Sequence, residues 1–319
     1  MKLSTLIASL LILIFAAAAA YAQKKELKRI ELSVFRVDAG TAAAQAQEFF
    51  AKEGLDVHVT STGSSTEQMR GLIGGKLQIT TGAFDNVLAW SGKEGAEIIA
   101  VAQSTASPSL SLFVRPEIKN WDDLRGKKLA ADAVDTAYAL VLRKILLAHG
   151  LDFTRGDYEL IGVGATPNRL ESIIKGETFA CILSPPFDGQ GLAAGMVKMT
   201  DHREVLPNYP GSSIIVARPW AESHRAELAA FLRARTAGVD WVKNPGNREA
   251  AVTAVADTLN IRREDAANRI DEVAKDGALN VAGLKNVLDL RVQFGFKLPM
   301  GNTLEKYYDE SYYREAAGK

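Results

Sequence analysis

The chain reads as an α/β protein of two lobes, each a mostly parallel sheet flanked by helices. Three observations predict this. Short apolar runs alternate with helical patterns from residue 30 onward, the order expected of parallel strands joined by crossover helices. The length, 319 residues, exceeds what one hydrophobic core usually organises. Beyond residue 217 the texture changes to helical patterns with hardly a strand candidate.

The first lobe opens with a strand over 30–37, a helix over 42–52 ended by Gly54, and a second strand over 55–60. A helix over 65–73 closes on Gly74-Gly75, and a third strand follows over 77–81. A helix over 84–90 and strands over 98–103 and 110–114 complete the first pass. A new unit begins at Asn120, whose run to Gly126 looks like one capped helical turn. It continues with strands over 128–132, 158–163, 179–183 and 197–200, separated by helices over 137–148 and 167–175. A strand over 214–217 returns the chain to the first unit. Leu228, Phe231, Leu232, Val239 and Val242 then share one helical face. Asn244-Pro245-Gly246 breaks that run, and helices are expected over 253–259, 266–274, 282–294 and 304–313. Lobe one is therefore expected to hold 23–117 with 212–319, and lobe two 118–211. Two chain crossings, at 115–119 and 201–212, would form a hinge, and the gap between the lobes becomes the default ligand site.

The N-terminus predicts export. Lys2 is followed by an apolar run over 6–20 and by Ala20-Tyr21-Ala22, a secretory signal with cleavage between Ala22 and Gln23. About 15 apolar residues fall short of the roughly 20 that span a bilayer. No Cys follows the run, so a lipid anchor is not expected, and the mature protein should be soluble. Without Lys2, the leader's only charge, 37 bases face 38 acids. No basic excess exists for phosphate-backbone contacts, which argues against nucleic acid as a partner. The single Cys181 can form no internal disulfide, and its apolar surroundings predict a buried, inert thiol.

Candidate site residues lie where strands end and helices begin, because free N–H groups at helix N-termini face ligands there. Thr62-Gly63-Ser64-Ser65 precedes a helix, and Ser64 with Glu67 forms a capping box. Asp132, Asp135 and Thr136 precede the helix at 137, which Asp135 or Thr136 would cap. Ala165 and Thr166 repeat the pattern, with Thr166 as cap and Pro167 at the first helical position. Pro185, Phe187 and Asp188 follow the Cys181 strand in a loop, with Phe187 either a lid over an apolar ligand or ordinary core. In the first lobe Ala39 and Gly40 after Asp38, and Ala83, Phe84 and Asp85 after Gly82, end their strands with small residues that leave room for a guest. Capping alone would account for several of these residues. Arg36, Arg70 and Arg169 could offer charge, against the plainer expectation of solvated or ion-paired surface arginines.

The catalytic inventory is poor. His58, His149, His202 and His224 are scattered singly, without metal-ligand spacing, and no nucleophile elbow, P-loop or dinucleotide fingerprint occurs. Binding is favoured over catalysis, with no metal and no cofactor expected.

Several segments together carry a family resemblance. Residues 49–57, Phe-Phe-Ala-Lys-Glu-Gly-Leu-Asp-Val, and Thr62-Gly63-Ser64-Ser65 lie in lobe one, with Gly74-Gly75-Lys76-Leu77-Gln78-Ile79 after them. Trp121 to Lys128 opens lobe two. In this order they resemble the SsuA/THI5-like (NMT1-like) substrate-binding proteins of bacterial ABC transporters, which have the type II periplasmic binding protein fold. The resemblance covers nearly the whole mature chain. It implies a cleft lined by the strand-end turns and C-terminal helices packed on lobe one. It also implies a periplasmic monomer that hands a small molecule to an inner-membrane permease. Sulfonates, carboxylates, nitrate-like anions and pyrimidine-like compounds are the ligand classes it suggests. Asp85, Asp132 and Asp188 near the expected cleft would disfavour a dianionic guest unless arginines offset them. The alternatives are an enzyme on the same fold, like the related pyrimidine synthases, and a ligand-sensing subunit for a membrane receptor. The synthases carry a cysteine-rich motif that this chain lacks.

Overall fold

A computed structural model describes residues 26–62 and 64–318. The expected signal segment and Gly63 lie outside the described residues. Two five-stranded sheets form the frame, in the orders β2-β1-β3-β10-β4 and β7-β6-β8-β5-β9.

The first sheet holds β1 (Lys28–Val34), β2 (Leu55–Ser61), β3 (Ile79–Gly82), β4 (Ile98–Gln103) and β10 (Ser213–Ala217). β1 pairs in parallel with β2 and β3, and β10 runs antiparallel between β3 and β4. The second holds β5 (Ser111–Val114), β6 (Lys128–Ala131), β7 (Glu159–Gly162), β8 (Ala180–Leu183) and β9 (Val197–Asp201). β6 is parallel to β7 and β8, while β5 runs antiparallel between β8 and β9. Each sheet is thus mostly parallel, with one reversed strand supplied by a chain crossing. One boundary differs from expectation: β5, placed in lobe one by the sequence, belongs to the second sheet. The first crossing therefore runs over 104–110. An apolar run bounded by turns names a strand but not its sheet, since pairing partners are set by distant residues.

Helices α1 (Ala39–Ala46), α2 (Phe49–Lys52), α3 (Ser65–Ile73) and α4 (Phe84–Trp90) belong to the first lobe. α5 (Ala137–Ala148), α6 (Thr166–Lys175) and α7 (Phe187–Ala193) belong to the second. The C-terminal part adds α8 (Arg218–Ser223), α9 (Arg225–Lys243), α10 (Arg248–Leu259), α11 (Arg263–Glu272), α12 (Val281–Gln293) and α13 (Ser311–Ala316). The single helix expected over 42–52 is two helices, broken at Glu48 with φ 56°. The helix expected over 304–313 shrinks to a short 3-10 turn and α13.

α9 and α10 pack on α1, and α12 touches both α4 and α5. One apolar cluster consequently runs through both lobes, from Met69, Val87 and Leu88 to Leu140 and Val141, with Leu284 and Leu288 of α12 between them. The crossings lie side by side. Ser104 and Thr105 donate backbone N–H bonds to the Ser212 carbonyl at 2.7 and 3.3 Å, and the Thr105 hydroxyl accepts from the Ser212 amide at 2.9 Å. Among the described residues no helix is long and apolar enough to cross a membrane.

Candidate functional site

The strand-end turns of the first lobe divide into two kinds. After β1, Asp38 caps α1, accepting from the Thr41 amide at 3.1 Å and its hydroxyl at 2.8 Å. The same carboxylate accepts from Ser104 Oγ at 3.2 Å and from Arg235 Nη2 at 2.9 Å. Burial pushes this carboxyl up, but Arg235 and the Thr41 bonds outweigh it and hold it below its ordinary range. Ala39 and Gly40 form the first turn of α1 and are buried. A Cβ on Gly40 would stand 2.6 Å from Val239 Cγ2, so the room left by its missing side chain is filled by α9.

After β2, Ser64 accepts from the Glu67 amide at 3.2 Å, as the capping box requires. Its return half is diverted: the Glu67 carboxylate accepts from the Thr62 hydroxyl at 2.6 Å, and the Ser64 amide donates to Thr62 Oγ1 at 3.1 Å. Ser65 is the first, half-buried residue of α3. After β3, Ala83 precedes α4 without a side-chain cap, and Phe84 is buried in the core. Asp85 is only 1% exposed and meets Arg291 of α12 in a two-pronged ion pair, Nε–Oδ1 2.6 Å and Nη2–Oδ2 2.8 Å. Arg291 escaped the sequence reading because some 200 residues separate it from Asp85.

In the second lobe Thr136 occupies the cap position of α5, but its hydroxyl donates to Asp132 Oδ1 and to the Ala133 carbonyl instead. Neither Asp135 nor Thr136 caps that helix through its side chain. α6 begins at Thr166 with the exposed Ala165 before it, one residue earlier than expected. The Thr166 hydroxyl accepts from Arg169 Nη2 at 2.8 Å. Arg169 overturns the expectation of a surface arginine. It is 2% exposed and ties the start of α6 to strand β8, donating also to the carbonyls of Gly164 and Ile182 at 3.2 Å each. Phe187 opens α7, where a loop was expected, and packs against the cluster of Phe113, Leu170 and Cys181, the core alternative. Pro185 is half-buried beside it, and Asp188 accepts from the next amide, Gly189, at 2.8 Å. Cys181 is wholly buried and its thiol is pushed up to about 12 by desolvation.

The lobes meet at Arg291. While holding Asp85 it also donates from Nη2 to the Asp135 carbonyl at 3.0 Å, joining a first-lobe turn to the turn before α5. Lys144 of α5 donates to Gln293 Oε1 at 2.9 Å, and the Arg143 guanidinium lies 4.1 Å from the Phe294 ring centre. Around this junction stand two tyrosines that the sequence did not single out. Tyr138, under Arg169, has its hydroxyl raised by burial, with Arg169 opposing and Asp132 adding. Tyr209, on the second crossing, is raised well above its ordinary range by burial, with Asp85, Tyr138 and Asp132 nearby. Burial pushes the Asp85 carboxyl up too, against Arg291, with Asp132 and Asp135 adding to the rise. The structure thus brings together Asp85, Asp132, Asp135 and Thr136. Asp38, Ala39 and Gly40 are enclosed by α9 and the first crossing. No group of three or more metal-ligating side chains occurs among the described residues.

Two mostly parallel α/β lobes joined by two adjacent chain crossings make up the periplasmic binding protein fold. A chain from Bordetella bronchiseptica RB50 superposes with a TM-score of 0.74 at 20% identity, covering 93% of this chain and 99% of that one. The periplasmic aliphatic sulphonate binding protein SsuA of Escherichia coli gives 0.65 at 19% identity, over 84% and 87% of the two chains. The periplasmic nitrate-binding protein NrtA of Synechocystis PCC 6803 gives 0.72 at 15% identity, over 92% and 89%. No curated protein matches the sequence. The profile of one family, described as NMT1/THI5 like, matches residues 37–248, and the chain belongs to that family.

Proposed function

We propose that this chain is exported to the periplasm, captures a small molecule between its lobes and delivers it to an ABC importer in the inner membrane. The observation that carries the reading is the contact of Arg291 with both Asp85 and Asp135, at the point where strand-end turns of the two lobes converge beside two adjacent crossings. Such a frame can open and close on two strands, and capture requires a guest that binds the closed form more tightly. The secretory pattern of residues 1–22 and the sulphonate- and nitrate-binding relatives support the same reading. The mature chain acts as a monomer, without cofactor and without turnover. The turns before α3, α5 and α6 supply contacts to the guest.

The test is a thermal-shift screen on the purified mature chain, followed by solution scattering of any hit. A ligand at a hundredfold excess over its Kd adds about 2.7 kcal/mol of stability and should lower the radius of gyration. Conversion of a hit to product, seen by mass spectrometry, would replace this reading with catalysis.

A further inference from the structure

Beside the first crossing lies a cavity of about 230 Å³, walled by α9, α13 and the segment that follows α11. Pockets for drug-sized guests run to roughly 300–1,000 Å³, so this one suits a molecule of only a few heavy atoms. Part of its wall is buried and apolar, formed by Val239 and the Tyr313 ring. Gly277 packs against that ring, where a Cβ would stand 2.4 Å from Tyr313 Cε2, and donates its amide to the Tyr313 hydroxyl at 2.9 Å. The wall is tied to the crossing. The Gly277 carbonyl accepts from the Gln103 amide at 2.9 Å, and Arg235 Nη2 donates to the Ser104 carbonyl at 2.7 Å.

Arg235 lines the same cavity with only 3% of its surface exposed. Among the described residues every hydrogen bond it makes leaves from Nη2, to Asp38, the Ser104 carbonyl and the Ser104 hydroxyl. Nε is enclosed without a partner, which leaves Nη1 as the nitrogen open to the cavity. A buried guanidinium with idle donors costs stability until a guest or water accepts from it. Its charge is already matched by Asp38 at 2.9 Å. Asp240 and Asp276 line the exposed rim. Asp276 accepts from the Ala278 amide at 3.0 Å, and neither acid has an ion-pair partner among the described residues.

We propose that this cavity is a second binding site, separate from the cleft, for a small zwitterion whose carboxylate accepts from Arg235 and whose ammonium group meets Asp240 and Asp276. A carboxylate alone would add an unmatched charge beside three acids, Asp38, Asp240 and Asp276. An ammonium alone would leave the Arg235 donors idle. A zwitterion answers both ends and adds no net charge. The site shares no residue with the turns before α3, α5 and α6, so it stands apart from the capture reading.

The experiment is calorimetry on the mature chain with β-alanine, proline and γ-aminobutyrate, set against propionate and propylamine at equal concentration. The best zwitterion should bind about tenfold or more tightly than either control. Arg235 is left intact, because the buried Asp38 depends on it. Ala317→Phe, which adds a ring at the cavity wall, should abolish zwitterion binding. Asp240→Asn/Asp276→Asn, which keeps the oxygen that accepts from Ala278, should weaken it about tenfold. The unliganded Tm should stay put in both variants. Propionate or propylamine binding as tightly as the zwitterions, or no binding by any zwitterion because water alone fills the cavity, would overturn the proposal. So would an affinity unchanged in either variant, since the guest would then sit elsewhere.

Discussion

Gly211 lies so close to Ala106 that a Cβ on it would overlap the Ala106 carbonyl oxygen, and the Thr105 carbonyl beside it. These residues belong to the two crossings, which leave no room for a side chain where they touch. Gly211→Ala should force the crossings apart. We expect a loss of about 1–3 kcal/mol, as for other overpacked sites, and a larger radius of gyration by solution scattering. An unchanged Tm and radius would show that the crossings are looser than their contacts imply.

The Asp85–Arg291 pair is buried on both sides, with side chains 1% and 7% exposed. Removing one partner leaves the other charge uncompensated. Arg291→Met should cost about 3–5 kcal/mol in urea unfolding. The double variant Asp85→Leu/Arg291→Met should recover part of that loss, because two apolar groups leave no orphan charge. Equal loss in both would mean that the pair contributes through packing alone.

Asp157 gives the second lobe an acid limit. Its carboxyl is held at about 2, against an ordinary 3.8, first by the Asp152 amide and then by Arg155. A carboxyl depressed by folding contributes stability that is complete above the ordinary value and lost as pH falls through the folded one. Asp157→Asn should therefore flatten the loss of stability between pH 3.8 and about 2, followed by fluorescence at fixed urea. A slope as steep as that of the parent chain would remove Asp157 from the account.

Cys181 should be chemically silent in the native protein. It is fully buried, and its thiol is raised to about 12, so almost no thiolate exists at neutral pH. Ellman's reagent at pH 8 should label none of it without denaturant and all of it after unfolding. Rapid native labelling would require an opening of the sheet at β8.

Much of the frame was legible along the chain. Apolar runs named most strands, because a sheet covered on both faces needs unbroken apolar segments, and glycines ended helices such as those at Gly150 and Gly176. The Ser64 cap and the burial of Cys181 were legible too, since each depends on neighbours in sequence. β5 was assigned to the wrong sheet because its register is set by residues 180–183 and 197–201. Arg169 read as a surface residue since arginine is usually exposed. Its carbonyl partners, Gly164 in the turn before α6 and Ile182 in β8, meet only in the folded lobe.

Local chemistry determined the strands, the helix caps and the two-lobed α/β plan, because periodicity and capping involve residues a few positions apart. Only the folded chain decided what the small residues at Gly40 admit and which acid Arg291 neutralises. Burial and charge matching are sums over neighbours from every part of the sequence, and no local pattern records them.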